Sequence, residues 1–91
     1  MKIAVLDRLT LGEDLDISAA EKFGTVVSYD TTAPSEVASH IGDADVVFVN
    51  KVKLNAETLK EAKNLKVICE AATGYDNIDL GFCRARGIAV C

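Results

Sequence analysis

Apolar and polar positions follow one another along this chain in two rhythms. Five short runs rich in Val and Ile come first to notice: Ile3–Leu6, Thr25–Tyr29, Asp45–Val49, Lys66–Glu70 and Ile88–Val90. Short, nearly continuous apolar runs between polar breaks are the pattern of strands buried on both faces. The stretches between them carry helical spacing or helix punctuation. Leu11, Leu15, Ala19 and Phe23 fall four apart and share one helical face. Thr10-Leu11-Gly12-Glu13 and Ser18-Ala19-Ala20-Glu21 both fit the reciprocal hydroxyl–carboxylate cap. The later start is preferred, because Gly12 and Asp14 are poor helix formers.

A second helix is predicted from Pro34 to Ile41, with Pro34 in the first turn and Gly42 as a left-handed stop. A third starts at Asn55, a good N-cap, with Glu57 in the positive first turn and a Leu54–Leu59 staple. The fourth is Leu80–Arg86, capped by Asp79 and stopped by Gly87. Five strands alternating with four helices imply an α/β fold: a doubly wound, five-stranded parallel sheet joined by right-handed crossovers, with helices on both faces. No repeat or linker interrupts residues 1–91. The last strand ends at Cys91, where such a domain would add a covering helix, so the chain reads as a segment of a larger domain.

Composition narrows the function. Hydrophobic residues make up 49% of the 91, which excludes intrinsic disorder. Ten Lys and Arg against fourteen Asp and Glu give a net charge of −4, an unfavourable balance for nucleic acid. No run approaches the roughly 18 apolar residues of a membrane span, and Asp7 and Arg8 end the first run too early for a signal peptide. Three cysteines without a C-x-x-C pair, and one histidine, do not spell a zinc site. Their sparse, odd number fits a reduced cytoplasmic protein. Cys69 and Cys91 read as small buried hydrophobes and Cys83 as a helix residue. His40 falls on the polar face of the second helix with no partner in view, a surface histidine. Arg84 and Arg86 serve the negative end of the last helix.

In open parallel sheets, ligands bind beyond the carboxyl ends of the strands, near the point where strand order reverses. Four segments qualify: 7–12, 29–32, 50–53 and 72–77. Asp7 alone reads as a turn-former. Glu70-Ala71-Ala72-Thr73-Gly74-Tyr75-Asp76-Asn77-Ile78-Asp79 leaves a buried strand and opens a helix. Its small residues let a ligand approach the backbone, and its turn N–H groups suit a small carboxylate. The plain alternative is a connecting loop in which Gly74 serves only a positive φ.

Those residues, with Val46-Val47-Phe48-Val49-Asn50-Lys51-Val52 before them and Ala85-Arg86-Gly87-Ile88-Ala89-Val90-Cys91 after, resemble the start of the D-isomer-specific 2-hydroxyacid dehydrogenases. The resemblance is strong over 45–91, weaker over 1–44, and nearest the glycerate dehydrogenase (hydroxypyruvate reductase) branch. Many relatives carry G-x-G where this chain has Ala72-Thr73-Gly74. The resemblance implies a flavodoxin-like sheet of order 2-1-3-4-5 forming the first section of a substrate-binding domain. Backbone N–H groups of Thr73 and Gly74 would bind the substrate carboxylate, and Asn50 and Lys51 would line the same cleft. The implied reaction is hydride transfer between NAD or NADP and a small 2-keto or 2-hydroxy acid, in a protein generally dimeric through its cofactor domain. The G-x-G-x-x-G turn, the substrate Arg and the His–Glu pair of that family are not among these residues. No catalytic residue and no bound cofactor is therefore expected here, and the isolated segment should be silent and prone to self-association. Three other readings compete. A phospho-receiver would want Asp where Asn50 stands and an acidic pair at Asp7, and a flavin carrier would want a phosphate loop at residues 8–12. A regulatory binding module without catalysis demands no such residues.

Overall fold

The computed structural model describes residues 1–8, 21–70 and 77–91. Five strands form one all-parallel sheet: β1 (Lys2–Val5), β2 (Thr25–Ser28), β3 (Val46–Val49), β4 (Val67–Glu70) and β5 (Ala89–Val90). Their order is β2-β1-β3-β4-β5, as the family resemblance implies. Each strand falls within a residue of its apolar run. The pairing itself reaches further than the strand bounds, since Leu6 N–H donates to Phe48 O and Tyr29 N–H to Val5 O.

Register explains which side chains are buried. Ala4, Val47 and Ile68 are aligned across the sheet and are each fully buried. They join one cluster with Val37 and Ile41 of α1 (Val37–Ile41), Leu59 of α2 (Ala56–Leu59) and Cys83 of α3 (Leu80–Arg86). Each fully buried Leu, Ile or Val there contributes about 1.5–3 kcal/mol. The alternate residues face the other way. On that face Ile3 and Val5 are buried, whereas Val46, Phe48, Val67 and Cys69 are only half-buried.

The helices follow their punctuation, with two differences. The segment predicted as one helix from Pro34 splits into a 3-10 turn, Pro34–Glu36, and then α1. Glu36 N–H donates to Ala33 O at 2.8 Å, an i to i+3 bond that tightens this entry. Gly42 does take a positive φ of 52°, but its ψ of −123° is outside the left-handed helical region, so it ends α1 without an αL cap. Residues 9–20, and with them most of the first predicted helix, lie outside the described residues. Phe23, expected on that helix's apolar face, is 72% exposed.

The other caps form as expected. Asn55 Oδ1 accepts from Thr58 N–H, and Thr58 Oγ1 accepts from Asn55 N–H, closing the cap of α2. Leu54 and Leu59 beside it are both fully buried. Asp79 caps α3 by accepting from Phe82 N–H at 3.0 Å. At the far end Gly87 sits at φ 73°, ψ 24°, and Ile88 N–H reaches Cys83 O at 2.8 Å. That is the six-to-one closure that only a left-handed residue permits without strain. Among the described residues no helix is long and apolar enough to cross a membrane, and no cluster of three or more His, Cys, Asp or Glu could hold a metal.

Candidate functional site

β1 is flanked by β2 on one side and β3 on the other, so the strand order reverses between them. A cleft of about 480 Å³ opens beyond their carboxyl ends. Its lining includes Asp7 from the exit of β1, Thr32 from the exit of β2, Lys51, Val52 and Lys53 from the exit of β3, and Thr58 of α2. Parallel strands carry the chain out at one edge, and helices must start there before it can return. That geometry gathers exit residues from distant parts of the sequence into one place.

Asp7 organises this rim. It is 3% exposed, the one charged residue among the buried described positions. Its carboxylate accepts from Asn50 N–H at 2.9 and 3.1 Å and from Lys51 N–H at 2.6 Å. A buried carboxylate without such donors would cost several kcal/mol, and backbone amides at the end of a strand need acceptors once the ladder stops. The two needs answer each other, and the segment leaving β3 is held from below. Asn77 holds it from the side, donating from Nδ2 to Val52 O at 2.8 Å and to Asn50 O at 3.3 Å. A parallel bridge between Leu54 and Ile78 extends this contact, with Leu54 N–H donating to Asn77 O and Asp79 N–H to Leu54 O. Thus the start of the β4-to-α3 connection's far end is bound to the β3 exit, 25 to 27 residues away in sequence.

Of the four site residues the sequence suggested, Asn50 and Lys51 are brought to the cleft's edge. Asn50 is half-buried, and Lys51 is exposed and lines the opening. Thr73 and Gly74 lie outside the described residues. Lys51 and Lys53 give the opening two cationic side chains, while the carboxylate of Asp7 is occupied by main-chain donors. An anionic ligand is the chemistry such a cleft favours.

The sequence reading missed three of these parts. Asp7 was read as a turn-former, although its place at a strand exit beside the reversal point was the available signal. Asn77 fell within the candidate segment 72–77, but its bracing role gave no signal, because its partners are carbonyls that no sequence displays. His40 corrects the surface reading. Its ring stacks on Tyr29, with centroids 3.7 Å apart and planes 6° from parallel. Its Nδ1 lies 2.8 Å from Thr32 Oγ1, which itself donates to Leu6 O. The hydroxyl has one proton and spends it on that carbonyl, so Nδ1 carries the hydrogen and donates. Glu36 Oε2 lies 3.9 Å from Nε2. His40 therefore fastens the exit of β2 to α1 from behind Thr32. Arg86 lies over the Phe82 ring at 5.4 Å, in keeping with a role at the end of α3.

The cysteine reading is also corrected. Cys83 is the buried one, Cys69 is half-buried and Cys91 is exposed. β5 is an edge strand two residues long, and Cys91 follows it immediately. Burial, reinforced by the Cys91 sulfur beside it, pushes the Cys69 thiol up to about 11.

Comparison with known proteins agrees with this architecture. The catalytic domain of the D-isomer specific 2-hydroxyacid dehydrogenases matches residues 3–91. A hydroxypyruvate reductase of Blautia hydrogenotrophica is 38% identical over 99% of this chain, and a glycerate dehydrogenase of Methylorubrum extorquens is 37% identical over 98%. The chain spans 29% and 28% of their respective lengths. The NAD+-bound 3-phosphoglycerate dehydrogenase of Entamoeba histolytica superposes with a TM-score of 0.79 at 33% identity, over 99% of this chain and 32% of that one. With a parallel sheet of matching order and a family match across nearly every residue, this chain belongs to the D-isomer specific 2-hydroxyacid dehydrogenases.

Proposed function

We propose that these residues are the first section of a substrate-binding domain, in an enzyme that reduces hydroxypyruvate or glyoxylate with NADH or NADPH. The observation that carries this reading is the Asp7-braced exit of β3, which presents Asn50 and Lys51 at the reversal point of the sheet. A 2-keto acid offers one carboxylate and one polarised carbonyl. Lys51 supplies a cation for the first, and the main-chain N–H groups of Thr73 and Gly74, the pair the family resemblance singles out, are the proposed second grip on it. Similarity to a hydroxypyruvate reductase and a glycerate dehydrogenase over nearly the whole chain supports this substrate class.

The chain's own residues do not fit a dinucleotide. No strand exit carries G-x-G-x-x-G, the turn whose glycines let the backbone approach a pyrophosphate. Hydride transfer therefore needs parts these residues do not contain, and the 91-residue chain by itself is inactive. The half-buried strip of Val46, Phe48 and Val67 supports self-association of the isolated chain, and free thiols at all three cysteines support a cytoplasmic setting.

The test uses the full gene product that carries these residues. It should oxidise NADH or NADPH in the presence of hydroxypyruvate. Lys51→Met and Gly74→Val should each raise KM for hydroxypyruvate about tenfold or more, the scale of one lost charge-assisted contact, and leave KM for the coenzyme unchanged. Equal effects on both KM values, or turnover by the 91-residue chain alone, would overturn the proposal.

A further inference from the structure

Cys69 and Cys91 meet across the edge of the sheet. Val67 is paired with Ala89 and Ile68 with Val90, so the next pair along the parallel ladder is Cys69 and Cys91. The ladder is intact there, since Cys91 N–H donates to Ile68 O at 3.0 Å and Glu70 N–H to Cys91 O at 2.7 Å. Paired residues on neighbouring strands point to the same face, and the two sulfurs lie 3.9 Å apart. Strand spacing of about 4.8 Å falls within the roughly 4.4–6.8 Å that separates the Cα atoms of bonded cysteines. A small rotation about each Cα–Cβ bond closes the remaining gap. Cys83 is not a competitor: it is fully buried with Ile68 on the opposite face.

We propose that Cys69 and Cys91 are a thiol–disulfide site, oxidised by a hydroperoxide and closed between β4 and β5. Exposure assigns the order of events. The Cys91 thiolate attacks the outer peroxide oxygen, the O–O bond breaks, and an alcohol or water leaves. Cys91 is then a sulfenic acid. The Cys69 sulfur displaces its hydroxyl, which departs as water with the Cys69 proton. Two thiols lose two electrons in all, and the peroxide is reduced by the same two. Oxidation ties the two-residue β5 to β4 just ahead of residues 71–76, and a dithiol reverses it.

The experiment treats the 91-residue chain with one equivalent of hydrogen peroxide under native, dilute conditions. Reactive thiols, counted after unfolding, should fall from three to one. The intact mass should drop by two hydrogens, and a peptide map should join residues 69 and 91 within one molecule. Dithiothreitol should restore all three thiols. Cys91→Ser, a substitution at an exposed position, should keep both remaining thiols. An over-oxidised Cys91 beside an intact Cys69 thiol, or a link between two molecules, would overturn the proposal.

Discussion

Asp7 shows how much a single side chain can decide when its partners are main-chain groups. Its carboxylate satisfies two amides that the β3 ladder leaves behind. Asp7→Ala should lower unfolding stability by about 2–4 kcal/mol, because two donors lose their acceptor in a buried site. Urea denaturation of the purified variant measures it. Cysteine reactivity is a second matter at this scale. With its thiol pushed up to about 11, Cys69 holds little thiolate near neutrality, so Cys91 should alkylate first in a mass-spectrometric time course with iodoacetamide. The linkage sign follows. An unfolded Cys69 ionises near 9 and the folded one only near 11, so stability should fall as pH rises between those values. Cys69→Ser should flatten that decline in alkaline denaturation curves.

At the level of elements, caps carry the local specificity. Asn55→Ala removes the acceptor for Thr58 N–H and should cost about 1 kcal/mol. Gly87→Ala isolates backbone conformation from packing, because an added Cβ there meets nothing within 4 Å. The left-handed geometry alone should cost about 1–2 kcal/mol, readable as a lowered Tm. These elements were legible beforehand because each depends on neighbours in sequence. Apolar runs marked all five strands, and Asn55, Asp79 and Gly87 marked helix ends. What sequence concealed depends on partners far along the chain. Pro34 announced a helix start, yet the 3-10 entry follows from how Ala33 and Glu36 bond to each other. His40 looked solitary because Tyr29 and Thr32 reach it only after β2 is placed. Cys91 looked buried because an apolar run does not say which strand is the edge.

For the molecule as a whole, the described residues cover the sheet unevenly. α1, α2 and α3 all contribute to the cluster on one face, while Val46, Phe48 and Val67 on the other are half-buried. Light scattering of the 91-residue chain should therefore report dimers or larger species that grow with concentration, and Phe48→Ser should shift the balance toward monomer. A clean monomer at high concentration would contradict the expectation. The cleft is likewise a property of the whole, since its lining comes from the exits of three strands and from α2, and its shape depends on their common register.

The clamp at Asp7 grips amides rather than side chains, and every residue except proline brings an amide. The side chain at position 51 can thus vary in chemistry while the trajectory of the segment stays put. Lys51→Ala should unfold at nearly the same urea concentration as the parent, whereas Lys51→Pro should not. A lineage could retune what its rim recognises by swapping the residues there one at a time, with the scaffold beneath indifferent to the exchange.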